Sequence, residues 1–78
     1  MIQLQEGKHY MTRDGQAVYQ VERNTDKESS RFYSFKGECT HTSNTERYQL
    51  GCRSTFTEDG RFLYIDVPKN FDLVQQLD

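Results

Sequence analysis

The sequence has no tryptophan, a single proline, two cysteines and no excess of either charge sign, with ten Lys and Arg against twelve Asp and Glu for a net charge of −2. Near neutrality excludes a general electrostatic clamp on a nucleic-acid backbone, although a local basic patch fits within it. Two cysteines allow at most one internal bridge, which rules out a scaffold built from disulfides. No apolar run approaches the roughly 20 residues that cross a bilayer. The opening Met1-Ile2-Gln3-Leu4-Gln5-Glu6 lacks the basic start and unbroken apolar stretch of a signal peptide. These absences lead us to expect a cytoplasmic protein with no membrane segment, in which Cys39 and Cys52 remain free thiols. There is no phosphate-cradling glycine loop and no Gly-x-Ser-x-Gly elbow, so neither a catalytic residue nor a cofactor is expected.

What remains is one small domain of 78 residues, 33% apolar, in which five Phe and five Tyr must supply much of the core. So thin a core often relies on a disulfide, a metal or association, and homo-oligomerisation is one way this chain could gain buried area. The most informative feature is a repeat. Thr12-Arg13-Asp14-Gly15 returns as Thr57-Glu58-Asp59-Gly60, each time with Tyr four residues after the glycine. Asp-Gly between residues of high β propensity signals a hairpin, because glycine accepts positive φ and aspartate bonds nearby backbone.

The expected fold is therefore all-β, a small antiparallel sheet or open barrel over residues 1–78 with two Asp-Gly hairpins and a short C-terminal helical turn. The first hairpin runs from His9–Thr12 to Ala17–Val21. Asn24 to Ser30 has no apolar residue and reads as a solvated, mobile loop. Arg31 to Phe35 reads as a strand stopped near Gly37, with short strands over Glu38–Thr42 and Arg47–Leu50, a bend or bulge at Gly51 and a strand from Cys52 to Thr57. A two-residue turn at Asp59-Gly60 would oppose Phe56 to Leu63, Glu58 to Arg61 and Arg53 to Asp66, with Cys52, Phe56, Leu63, Ile65 and Val67 on the core face. The two-residue turn is preferred over a three-residue Glu-Asp-Gly loop with a bulge, which would instead set Phe56 against Phe62. After Pro68, Asn70 caps a turn of helix carrying Phe71, Val74 and Leu77.

Cys39, His41 and Cys52, with His9 as a fourth donor, are the right atoms for zinc, but the spacing lacks the close ligand pairs of a structural site, so no metal is expected. The tyrosines point to binding. Tyr10, Tyr19, Tyr33, Tyr48 and Tyr64 exceed what so small a core encloses, and exposed Tyr beside Arg is common in interfaces and in base-stacking platforms. The residues favoured for a binding surface are Tyr10, Arg13, Tyr19 and Arg61, since the arginines flank the Asp-Gly turns and the two tyrosines fall opposite each other in the first hairpin.

Four segments, Glu6-Gly7-Lys8-His9-Tyr10-Met11-Thr12-Arg13-Asp14-Gly15, Tyr33-Ser34-Phe35-Lys36-Gly37, Phe56-Thr57-Glu58-Asp59-Gly60-Arg61-Phe62 and Phe71-Asp72-Leu73-Val74, together resemble small accessory proteins of tailed bacteriophages and prophages. Ser34 stands where that family has proline, Phe56 where it has tryptophan, and the cysteines and longer polar middle belong to this chain. The shared motifs are turn and core residues. The resemblance implies a phage origin and a non-enzymatic role in binding a host protein, such as a defence nuclease or polymerase, or a small signalling molecule. A nucleic-acid-binding β domain using a Tyr and Arg surface is the alternative.

Overall fold

The computed structural model describes residues 2–65 and 67–78. At Asp14-Gly15 the chain turns with Gly15 at φ +72°, and the Thr12 hydroxyl donates to Asp14 Oδ1 (2.6 Å) while accepting from the Ala17 N–H (3.2 Å). This closes strand β1 (His9–Thr12) onto β2 (Ala17–Arg23) in the expected register, Tyr10 opposite Tyr19. The remaining strands are β3 (Phe35–Thr42), β4 (Arg53–Phe56) and β5 (Leu73–Gln76), in an antiparallel five-stranded sheet of order β4-β3-β2-β1-β5. The fold is all-β, with a 3-10 turn at Ser29–Arg31 as the helical element among the described residues.

Alternation along β1 to β3 sends Tyr10, Ala17, Tyr19, Val21, Phe35 and Cys39 to one buried face. The opposite face is largely polar and wet. Segments outside the sheet cover the core, supplying buried Leu4 and Tyr48 and partly buried Phe62 and Phe71. Gly37 makes the packing possible: a Cβ there would stand 3.0 Å from the Phe56 ring and 3.3 Å from Tyr19 Cβ, two side chains whose rings meet edge to face at 5.4 Å. Glycine thus continues β3 through the point where a stop was expected.

Several expected elements change. Arg31–Phe35 is not a strand: the chain leaves the 3-10 turn and becomes extended at Phe35. Arg47 to Leu50 lies in turns, held by the Asn44 side-chain oxygen accepting from the Glu46 and Arg47 N–H groups (both 3.1 Å). Gly51 forms the expected bulge at φ +83°, its N–H donating to Cys39 O while the Cys39 N–H donates to Cys52 O, each 2.9 Å.

The second Asp-Gly turn forms, yet among the described residues no hairpin grows from it. Thr57 N–H donates to Arg61 O (2.9 Å), closing the three-residue loop rather than the two-residue one, and the next N–H, of Phe62, donates to Asp72 Oδ1 (2.8 Å) instead of to β4. Phe62 then turns into the core beside Phe71, with ring centroids 5.1 Å apart. Ile65, Val67 and Cys52 stay exposed, and Leu63 only half-buried. Arg53 pairs with Glu38 (3.6 Å), and Asp66, its expected partner, lies outside the described residues.

The C-terminal helical turn is also absent. Leu73–Gln76 instead adds to the free edge of β1, where the Arg13 N–H donates to Asp72 O (2.7 Å) and the Leu77 N–H to His9 O (2.9 Å). A helix this short has little stability of its own, and an open strand edge offers bonds it cannot match. Among the described residues no helix is long and apolar enough to cross a membrane.

Candidate binding surface

Tyr10 and Tyr19 do face each other, but inward. Tyr10 is 0% exposed and Tyr19 6%. Each sits at an inward position of the pleat, and the core accepts the hydroxyl because it is bonded: Tyr10 Oη accepts from the Gln5 N–H at 2.8 Å. Both are core residues, not elements of a surface patch.

Arg13 and Arg61 do reach one concavity, of about 380 Å³, alongside Val67, Pro68 and Val74. Their charges are already engaged. Arg61 clasps Asp59, with Nε 3.2 and 3.1 Å from its two oxygens and Nη2 at 3.0 Å, and Arg13 Nη2 lies 3.4 Å from Asp72 Oδ2. Burial pushes the Asp59 carboxyl up, but the bonds from Arg61 and Thr57 outweigh it and hold the group below its ordinary value.

Asp14 shows the same balance. Burial raises it, whereas bonds from the Thr12 and Tyr48 hydroxyls, the Gln16 N–H and Arg47 bring it below the usual carboxylate range. Tyr48 donates to Asp14 Oδ2 at 2.7 Å, and burial with this bond pushes the phenol up to about 12. These are fastenings within the fold.

The candidate zinc ligands are divided between environments. Cys39 is buried in the core with its thiol raised by burial, Cys52 is exposed, and His41 shares a shallow hollow with His9, which is bonded to Asp78 (2.8 Å). Among the described residues no group of three or more His, Cys, Asp or Glu is placed to hold a metal ion.

Large apolar groups meet water elsewhere. Phe32 is 53% exposed and Tyr64 57%, their rings 4.9 Å apart and tilted by 32°, and Tyr33 meets Tyr64 edge-on at 6.1 Å. The Tyr64 N–H donates to the Tyr33 hydroxyl (3.3 Å), tying the chain after the second turn to the chain after the 3-10 turn. The Phe32 and Tyr64 rings border an open hollow of about 460 Å³ whose other walls include Gln3, Arg31, Glu58 and Arg61. The loop expected to be mobile sets their position. Asn24 donates from Nδ2 to Ser29 Oγ (2.9 Å) and Tyr33 O (2.8 Å) and accepts from the Asp26 N–H (3.0 Å), while the Phe32 and Tyr33 N–H groups both donate to Ser29 O. A polar segment without apolar residues is thereby knitted into a base for the aromatic surface.

Of the four favoured residues, only Arg61 borders this hollow. Tyr33 and Tyr64 belonged to the tyrosine excess that suggested binding. Phe32 gave no separate signal, since an aromatic beside Phe35 reads as strand. Comparison with protein-family models, curated proteins and solved structures found no match.

Proposed function

We propose that this chain is a phage-encoded, non-enzymatic binding protein that modulates a host factor by gripping a host protein with the Phe32, Tyr33 and Tyr64 surface. The observation that carries the reading is the pair of rings at Phe32 and Tyr64, each more than half exposed and held against each other at 4.9 Å. Leaving so much apolar area in water weakens a small fold, and rigid aromatic anchors repay that in a complex because they lose little entropy on binding. The hollow beside them presents both charge signs, Arg31 and Arg61 with Glu58 and Asp59. Mixed charge suits a protein surface, whereas a phosphate backbone would meet the two carboxylates. The phage setting rests on the resemblance of the turn and core motifs.

The test is affinity capture from a bacterial lysate with the parent, Phe32→Ala, Tyr64→Ala and Lys36→Ala, the last altering the polar face of the sheet. A host protein retained by the parent and by Lys36→Ala but about tenfold or more weaker on the two aromatic variants is expected. Equal capture by all four would overturn the assignment of the site. The exposed rings also favour a second reading, single-stranded nucleic acid, which predicts salt-sensitive retention on single-stranded DNA lost in the same two variants.

A further inference from the structure

Cys39 and Cys52 stand opposite each other where β3 meets the bulge before β4. Past the Glu38–Arg53 pair Cys39 faces the two residues of the bulge, its N–H donating to Cys52 O and its carbonyl accepting from the Gly51 N–H. Residues opposed in an antiparallel pair have Cα atoms about 4.5–5.5 Å apart, inside the roughly 4.4–6.8 Å that a disulfide spans, and the two thiols lie close enough for the charge of one to act on the other. Both are free thiols here. We propose that Cys39 and Cys52 form a redox-modification site that closes to an intramolecular disulfide when the protein meets a hydroperoxide.

The two thiols differ in access, which assigns their parts. Cys52 is exposed and meets the oxidant, whereas Cys39, buried and with its thiol pushed up by burial, acts as the resolving thiol. In the first step the Cys52 sulfur, as thiolate, attacks the outer oxygen of the hydroperoxide. The O–O bond breaks, the sulfur is oxidised by two electrons to a sulfenic acid, and the leaving alkoxide takes up the proton that the Cys52 thiol released, departing as the alcohol, or as water if the oxidant is hydrogen peroxide. In the second step the Cys39 sulfur attacks the Cys52 sulfur. The S–S bond forms as the S–O bond breaks, and the Cys39 proton departs with hydroxide as water. Closure requires each thiol to give up only a weak contact, Cys39 Sγ to His41 O (3.5 Å) and Cys52 Sγ to Gln49 Oε1 (3.8 Å). The bond would fasten the Thr40–Gly51 segment, which carries the Arg47 and Tyr48 side chains that hold Asp14.

The experiment treats the full chain with hydrogen peroxide and reads intact mass, alkylation of the remaining thiols and the melting temperature. The expected result is a monomer lighter by two hydrogens, with neither thiol alkylated and a Cys39–Cys52 peptide after digestion, all reversed by dithiothreitol. Closing the loop should raise the melting temperature by about 5 °C or more, a shift absent from Cys52→Ser, whose altered side chain is exposed. Dimedone should trap the sulfenic acid on Cys52 in Cys39→Ala. If peroxide leaves Cys39 open to alkylation, with Cys52 bridging two chains or carried on to the sulfinic acid, the proposal fails. A cross-link that leaves the melting temperature unchanged would overturn the fastening of the segment.

Discussion

Asp14 holds separate parts of the chain through one carboxylate: its own turn through Thr12 and the Gln16 N–H, and the segment before β4 through Arg47 (3.0 Å) and Tyr48. Because its folded pKa lies below the ordinary value, the stability it adds is present above the unfolded pKa of about 3.9 and is lost as pH falls through the folded value. Asp59 acts in the same direction. The melting temperature should therefore decline as pH drops below about 4, and Asp14→Asn should flatten that decline while lowering stability near neutrality. Tyr48 has the opposite dependence. Its folded pKa of about 12 exceeds an unfolded value of about 10, so its contribution is complete below pH 10 and fades towards 12. Alkaline unfolding followed by circular dichroism should be less steep in Tyr48→Phe, and an unchanged slope would mean the phenol is not held by Asp14. Tyr10, fully enclosed, separates core from surface: Tyr10→Ala should cost about 3–5 kcal/mol in urea unfolding, whereas Tyr64→Ala should fall within about 1 kcal/mol of the parent.

At the level of elements, the two Thr-x-Asp-Gly turns share a bonding plan and differ in what they join. In both, the glycine N–H donates to the threonine carbonyl, at 2.9 Å for Gly15 and 3.0 Å for Gly60, and the threonine hydroxyl binds the aspartate. The first turn pairs two strands. The second sends the chain across to the C-terminal segment, where the Leu73 N–H donates to Gly60 O (2.7 Å). The glycines consequently answer to different constraints. Nothing lies within 4 Å of a Cβ placed on Gly15, so Gly15→Ala meets only the strain of positive φ, about 1–2 kcal/mol. A Cβ on Gly60 would stand 2.4 Å from Leu73 O, and Gly60→Ala should cost at least about 2 kcal/mol more than Gly15→Ala in thermal or urea unfolding. Equal costs would mean that the second turn does not press against β5.

For the whole molecule, the sequence was most legible where a local signal needed no distant partner. Residues 9–23 carry their own turn and alternation, and Gly51 its own bulge. Beyond Phe56 the deciding contacts are remote. Phe62 leaves the hairpin path because Asp72 takes its N–H, and Leu73–Gln76 becomes a strand because the edge of β1 is open, neither of which periodicity in the local sequence reports. The binding surface was half legible, as an excess of tyrosines without an address, because burial of Tyr10 and exposure of Tyr64 depend on the same remote contacts.

That dependence concentrates on Asp72, which is buried and gathers the Phe62 N–H (2.8 Å), the Lys69 N–H (2.9 Å) and the Arg13 guanidinium (3.4 Å), while its own carbonyl accepts from the Arg13 N–H. Arg13 in the first turn and Phe62 just after the second thus meet at one carboxylate. Replacing it strands backbone donors inside the protein, each costing about 1–3 kcal/mol. Asp72→Ala should therefore unfold at a markedly lower urea concentration than the parent, whereas Asp72→Asn, which keeps an oxygen acceptor, should lose less. Because β1, β5 and the second turn meet at this residue, the loss should spread through the sheet rather than free the C-terminus alone. Far-ultraviolet circular dichroism and tyrosine fluorescence should then report one coincident transition for Asp72→Ala. A protein that kept its stability, or that shed residues 69–78 in a separate early step, would show that the sheet of β4 to β1 stands without the clamp.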